Sequence, residues 1–247
     1  MLKKRTGKEL PWGTLTGIRP TKIAMTMLEE GKEEAEVAAF FKQEHYVSQE
    51  KTELAIDIAK REKAILSQIT HDGYSLYIGI PFCPTTCLYC SFTSYPIAAF
   101  RERVETYIDC LIREMQETAR ICKDKVLDTV YIGGGTPTTL EAEQLDRLIR
   151  NLKEIFDFST VKEFTVEAGR ADSITREKLE VLKKYGVTRI SVNPQTMHDK
   201  TLQLIGRRHT VGQAVDAYHM ARELGFDNIN MDIILGLPGE DLSLIHI

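Results

Sequence analysis

The stretch SLYIGIPFCPTTCLYCSF, residues 75–92, decides how the rest of the chain is read. Its first six residues read as a strand that stops at Pro81. The loop that follows places Cys83, Cys87 and Cys90 in a CxxxCxxC spacing, three of the five cysteines in the chain. Three thiolates on one short loop can converge on a soft metal centre. A structural zinc site normally takes four protein ligands. No second CxxC and no nearby histidine supplies a fourth, and His71 lies before the strand. Three cysteines fit an iron–sulfur cluster whose fourth iron stays open to a small ligand. A zinc site completed from elsewhere and chance clustering are the plainer readings.

Downstream, strand and helix patterns alternate. Residues 101–123 read as a helix with Val104, Tyr107, Ile108, Leu111, Ile112 and Met115 as its apolar stripe. LDTVYIGG is a second strand. Thr138 with Glu141 is read as a capping box that opens a helix carrying Leu145, Leu148, Ile149 and Leu152. EFTVEA is a third strand, residues 175–185 a helix stopped by Gly186, and TRISVNP a fourth strand. Thr210 with Gln213 opens the next helix, which ends near Gly225, and NINMDIILGLP is a fifth strand. Such alternation means βα units and a parallel sheet. The fold expected is α/β, a partial (β/α) TIM-like barrel. An open doubly wound sheet is the competitor. The strands lack strict polar/apolar alternation, as expected when both faces are covered. Their polar and glycine residues gather at the carboxyl ends, where both architectures place their sites.

Upstream, residues 1–70 read as a small helical segment. TKIAMTMLEEG puts Ile23, Met27 and Leu28 on one face and ends at Gly31. SQEKTELAIDIAKREKAILSQI puts Leu54, Ile58, Ile65 and Ile69 at helical spacing. Trp12, between Pro11 and Gly13, is a candidate docking residue. The core is then residues 71–241. The last six, LSLIHI at 242–247, resemble the in-frame translation of a library-preparation adapter and are set aside. A fifth strand without its covering helix suggests a gene product truncated there, inactive and with an unpaired edge.

The formal net charge of −4 gives no general attraction to nucleic acid or anionic membrane. No apolar run approaches the roughly 18–20 residues that span a bilayer. MLKKRTGKELPWG has no apolar core behind its basic residues, so it is not a signal peptide. A cytoplasmic protein is expected, in which clustered thiols stay reduced.

Taken with their order, YIGIPFCPTTCLYCSF, IGGGTPT, VEAG, SVNPQT, IGRRH and NMDIILGLPGE resemble the radical S-adenosylmethionine (SAM) superfamily, and within it the oxygen-independent coproporphyrinogen III oxidase-like proteins. PWGTLTGIRPTKI points to the HemZ-type branch, and the resemblance runs over residues 11–241. It implies that Cys83, Cys87 and Cys90 hold a 4Fe–4S cluster, whose open iron takes the amino and carboxylate groups of SAM. One electron then yields a 5′-deoxyadenosyl radical, which takes a hydrogen atom from the substrate. It also implies site roles. Tyr77 stands beside the cluster, and Tyr89 is the aromatic before the last cysteine. Gly133 and Gly134, with Gly135, contact the methionine amino group. Glu167, Gln195 and Arg207 contact SAM, and Asp232 lies near the adenosyl ribose. The plainer readings are a tight turn for the glycines, a surface position for Arg207 and core packing for Tyr77. Cys110 and Cys122 read as small buried or half-buried residues, His209 and His219 as structural ones. No catalytic residue is singled out.

The implied partners are SAM, a porphyrinogen substrate or haem, and an electron donor such as flavodoxin or ferredoxin. Three departures stand out. Phe92 occupies the place of a fourth cysteine in the dehydrogenases of the family, Gly79 the place of a histidine, and Gly169-Arg170 the place of a frequent Asn-Pro. The resemblance therefore implies radical SAM chemistry with two ends, oxidative decarboxylation of coproporphyrinogen III in haem synthesis or haem delivery by a HemW-type chaperone. A zinc-binding structural protein is the alternative outside it.

Overall fold

The computed structural model of the chain describes residues 5, 7, 8, 10–17 and 19–241, so the segment 242–247 lies outside the described residues. The chain divides into two compact units, Met1–His71 and Asp72–Ile247. Among the described residues no helix is long and apolar enough to cross a membrane.

The first unit contains α1 (Pro20–Glu29), α2 (Glu34–His45) and α3 (Gln49–Leu66). Pro20 begins α1, where its missing N–H costs nothing. Glu33 and Glu36 form a capping box on α2, and the Ser48 hydroxyl accepts from Lys51 N at 3.3 Å to cap α3. Ala24, Met25, Val37, Phe41, Ala55, Ile56 and Ala59 make the buried cluster, with Trp12 packed against it. The buried stripe of α3 is thus Thr52, Ala55, Ile56 and Ala59, rotated from the expected one. Leu54, Ile65 and Ile69 are exposed. Small side chains let α1 approach α3 closely, and that close packing outweighs the larger residues on the neighbouring face.

The second unit runs β1 (Tyr74–Ile80), β2 (Phe82–Cys83), β3 (Tyr95–Pro96), α4 (Ile97–Phe100), α5 (Val104–Ile121), β4 (Leu127–Gly134), α6 (Ala142–Ile155) and β5 (Glu163–Glu167). It continues with α7 (Arg176–Lys184), β6 (Arg189–Ser191), α8 (Asp199–Leu204), α9 (Val211–Glu223) and β7 (Ile229–Asn230). The main sheet is parallel, in the order β1-β4-β5-β6-β7. Chain order equals spatial order. A doubly wound sheet would reverse at a switch point; this one winds in one direction, as a (β/α) barrel does. Strands β2 and β3 form a separate parallel pair beside the cysteine loop.

The outer face of the sheet carries Leu76, Ile78, Ile80, Val130, Ile132, Phe164, Val166 and Ile190, buried with Ile108, Leu111 and Met115 of α5 and Leu145, Leu148 and Leu152 of α6. Each such side chain contributes about 1.5–3 kcal/mol on burial. The inner face is polar. Ser75 and Thr129 are hydrogen-bonded across it at 2.8 Å, and Glu163, Thr165 and Arg189 follow on β5 and β6. This corrects the expectation of strands without alternation: the strands do alternate, because the inner face lines the barrel interior and not a second helical layer.

Three further expectations change. The cap of α6 is Glu141 paired with Gln144, not Thr138. Thr138 lies in a 3-10 turn, and its hydroxyl is turned inward to Ala168 O at 3.0 Å and Ser173 Oγ at 2.7 Å. The fifth strand pairs over only two residues, with one further bridge from Gln195 to Ile233. It is the sheet edge and is held from one side. Cys110 is exposed, since it falls on the solvent side of the α5 stripe; Cys122 is half-buried.

Candidate cofactor site

The candidate residues meet at the carboxyl ends of the parallel strands. Cys83 closes β2, and Cys87 and Cys90 follow on the loop; Cys83 and Cys87 are buried and Cys90 is half-buried. The loop is pinned at several points. Cys90 N donates to Cys87 O at 3.1 Å, Leu88 N to Ile205 O at 3.0 Å, and the Thr85 hydroxyl to Gly206 O at 2.7 Å. Cys83 Sγ lies 3.5 Å from the Thr136 hydroxyl. Burial raises the Cys83 thiol above its ordinary value, opposed by the Thr136 hydroxyl and the Arg170 charge.

The glycine turn is clasped to the same loop. Gly135 N donates to Ile80 O and Thr136 N to Phe82 O, both at 2.7 Å. Gly134 has φ +106°, a conformation that side chains rarely adopt. At Gly133 a Cβ would come within 2.6 Å of the Tyr131 ring and 3.0 Å of Glu167 Oε2. The turn therefore leaves space in front of a carboxylate.

That carboxylate is Glu167, half-buried at the end of β5. The Tyr131 hydroxyl donates to its Oε1 at 2.5 Å, and the Gly134 N–H donates to it as well. Burial nevertheless wins and raises Glu167 above its ordinary value; Asp232 adds to the rise. Tyr77 stacks on Tyr131 with ring centroids 5.8 Å apart and planes 11° apart. Register explains the pair, since Tyr77 and Tyr131 are cross-strand partners on β1 and β4. Tyr77 is 60% exposed on the inner face, which overturns core packing as its role.

Arg207 and Tyr89 begin a second group. Arg207 is buried; its Nη1 donates to Asn193 O at 2.6 Å, and its Nε has no hydrogen-bond partner. Tyr89 lies against Arg207 and Cys87. Burial pushes its hydroxyl up to about 12, Arg207 lowering and Cys87 raising it. Gln195 is buried and holds a left-handed backbone at φ 67°. Its N donates to Asp232 O at 2.9 Å, and its O accepts from Ile234 N at 2.8 Å. Asp232 lies just past β7, not inside a strand, and is exposed. Its carboxylate accepts from Asn230 Nδ2 at 2.8 Å, so it needs no buried counter-charge.

Among the described residues no three Cys, His, Asp or Glu side chains gather closely enough to hold a single metal ion. A cuboidal cluster asks for something different, because each thiolate takes a different iron and the sulfurs stand apart. Three soft donors on one pinned loop meet that demand. Arg207 fits the second cofactor: a buried guanidinium with an orphaned Nε, and no ion pair to a carboxylate among the described residues, suits an anionic ligand.

Sequence reading missed Tyr131, Thr136, Thr85, Asn193 and Arg170. Tyr131 carried a signal, being in phase with Tyr77 on the neighbouring strand. Arg170 was visible only as a departure from Asn-Pro. It is buried, clamps Asp172 and reaches the cysteine loop. A cavity of about 320 Å³ lined by Trp12, Leu15, Arg19 and Ile23 contains none of the site residues.

The sequence pattern of the Radical SAM superfamily matches residues 77–246. The oxygen-independent coproporphyrinogen-III oxidase-like protein HemZ of Bacillus subtilis (strain 168) is 44% identical over 98% of this chain and 50% of its own length. The heme chaperone HemW of the same organism is 41% identical over 68% of this chain and 44% of its own length. Among solved structures, coproporphyrinogen III oxidase (HemN) from Escherichia coli, a radical SAM enzyme, superposes with a TM-score of 0.64 at 28% identity, over 74% of this chain and 43% of that one. The chain thus spans about half the length of the curated relatives it matches.

Proposed function

The chain belongs to the radical SAM superfamily, whose cofactors are a 4Fe–4S cluster and SAM, and from that premise we propose that Cys83, Cys87 and Cys90 hold the cluster and that the surrounding strand ends hold SAM. When bound, the pair supplies reductive cleavage of a carbon–sulfur bond and, with it, hydrogen-atom abstraction. Gly133 and Gly134 leave room for the methionine end. Glu167, steered by Tyr131 and Gly134, accepts from its amino group. Arg207 pairs with its carboxylate through the unused guanidinium edge. Gln195 and Asp232 border the nucleoside end, and the Tyr77–Tyr131 stack forms an aromatic wall on the inner face. The observation that carries this reading is the three-cysteine loop facing a buried arginine that has no carboxylate partner among the described residues.

The substrate we propose is a tetrapyrrole, coproporphyrinogen III, whose propionates are decarboxylated oxidatively to vinyls. The support is the likeness to HemZ along nearly the whole chain, including the helical unit. An electron donor of the flavodoxin or ferredoxin type serves the cluster. A second reading, a haem chaperone, is favoured by a specific position. Phe92, 71% exposed beside the loop, stands where a fourth cysteine is found in the dehydrogenases. Gly79 is not forced by space, since a Cβ there meets only the Tyr77 ring, at 3.7 Å. The test uses a longer form of the protein that includes the remainder seen in its relatives. Vinyl product from coproporphyrinogen III supports the enzyme. Haem transfer to an acceptor without vinyl product supports the chaperone. Stoichiometric zinc without iron or sulfide after anaerobic reconstitution sinks both.

A further inference from the structure

Arg170 is a buried charge that the proposed function leaves unused. It is 2% exposed, and a guanidinium taken out of water needs partners. Its Nε and Nη2 grip Asp172 bidentately at 2.9 and 2.7 Å. His209 Nδ1 stands 3.9 Å from the same carboxylate. Nη1 is turned the other way, into the cysteine loop. It donates to Thr85 O at 3.0 Å, to the Thr85 hydroxyl at 2.8 Å and to Cys87 Sγ at 3.8 Å. The backbone under it is fixed, with Arg170 N donating to Ala168 O and Ser173 N to Arg170 O. The side chain therefore has one edge anchored on an acid and the other aimed at a ligand sulfur.

We propose that Arg170, anchored by Asp172, donates a charge-assisted hydrogen bond to Cys87 Sγ and so raises the reduction potential of the cluster on Cys83, Cys87 and Cys90. The inference rests on the cluster reading above. Its physics is simple. Taking up one electron from an external low-potential donor adds a negative charge to the cluster and its thiolates. A cation bonded to one of those sulfurs stabilises the reduced form more than the oxidised form. Hydrogen bonds to sulfur and local net charge are the levers that set such potentials. Asp172 has the opposite sign and tempers the effect. It also keeps Arg170 from swinging away. Arg170 is a positioning and tuning residue; it touches a cluster ligand, not the reacting atoms.

The experiment is an anaerobic reconstitution of the full chain with iron and sulfide, followed by a dithionite titration monitored by electron paramagnetic resonance. Arg170→Gln keeps an N–H donor and loses the charge. At a fixed poise its reduced-to-oxidised ratio falls about tenfold, a drop of about 59 mV for a one-electron couple. Asp172→Asn keeps an amide oxygen that still accepts from Arg170 and loses only the opposing charge, so its midpoint moves up. Opposite shifts from the two variants are not what a merely structural role produces. Intact clusters with unmoved midpoints, or both midpoints moving the same way, overturn the inference while leaving the cluster reading standing. If Arg170→Gln takes up no cluster, Asp172→Asn decides alone, and a midpoint that does not rise overturns the inference. A wild-type chain that takes up no iron overturns the cluster reading, and this inference falls with it.

Discussion

Removing the hydroxyl of Tyr131 tests how the site holds Glu167. In Tyr131→Phe the carboxylate loses the donor at 2.5 Å and keeps the Gly134 N–H. A hydrogen bond to a charged group is worth about 1.5–3 kcal/mol. Glu167 is only half-buried and water can replace part of the bond, so the low end applies. That loss of about 1.5 kcal/mol falls on the charged form, so the Glu167 pKa rises further above its ordinary value. The sign follows from the wild type, where burial already lifts Glu167 above its ordinary 4.5 against the pull of Tyr131 and Gly134. Between 4.5 and the raised value the folded chain keeps a proton that the unfolded chain has released. Stability therefore falls as pH rises through that window, and the variant extends the window upward. A carboxyl ¹³C titration, with Glu167→Gln to assign the resonance, measures the shift directly. SAM binding over the same pH range moves its midpoint up by the same amount. An unmoved or lowered Glu167 pKa in Tyr131→Phe would mean that the Tyr131 hydroxyl does not stabilise the carboxylate.

Three other perturbations are informative. Alanine at Cys83, Cys87 or Cys90 abolishes stable cluster uptake, whereas Phe92→Cys leaves iron and sulfide content unchanged; chemical iron and sulfide assays read both. Gly134→Ala forces a side chain into φ +106° with backbone 3.2 Å away, and costs on the order of 1–3 kcal/mol in a denaturant titration. Burial would raise Asp172, but His209 and Arg170 overcome it and hold the carboxyl well below its ordinary 3.8. Its contribution to stability is thus present above 3.8 and lost as pH falls below it, and Asp172→Asn flattens the acid limb of the stability–pH profile.

The cysteine loop, the strand ends and the α9 cap were legible because they depend on local chemistry. Ligand spacing, a glycine run after an apolar strand and the Thr210–Gln213 box each carry their signal within a few residues. What escaped depends on faces. Ser75, Thr129 and Tyr131 are interior residues of an open barrel, and sequence cannot say that a strand's second face lines a polar lumen. In α3 the alanines, not the larger Leu54 and Ile65, are buried, because the neighbouring helix comes close. Glu141 and not Thr138 caps α6 because a 3-10 turn first carries the chain across the end of the sheet. Arg170 was legible as an oddity and not as a contact, since Thr85 and Cys87 lie 85 and 83 residues away along the chain.

We propose that three cysteines and the strand ends around them hold a cluster against SAM. Anaerobically reconstituted protein, given SAM and dithionite, tests it by iron and sulfide content together with 5′-deoxyadenosine release. The expected result is about four irons and four sulfides per chain, 5′-deoxyadenosine formed only when SAM and reductant are both present, and loss of both signals in Cys87→Ala. Zinc in place of iron, or a full cluster that never cleaves SAM, would contradict it.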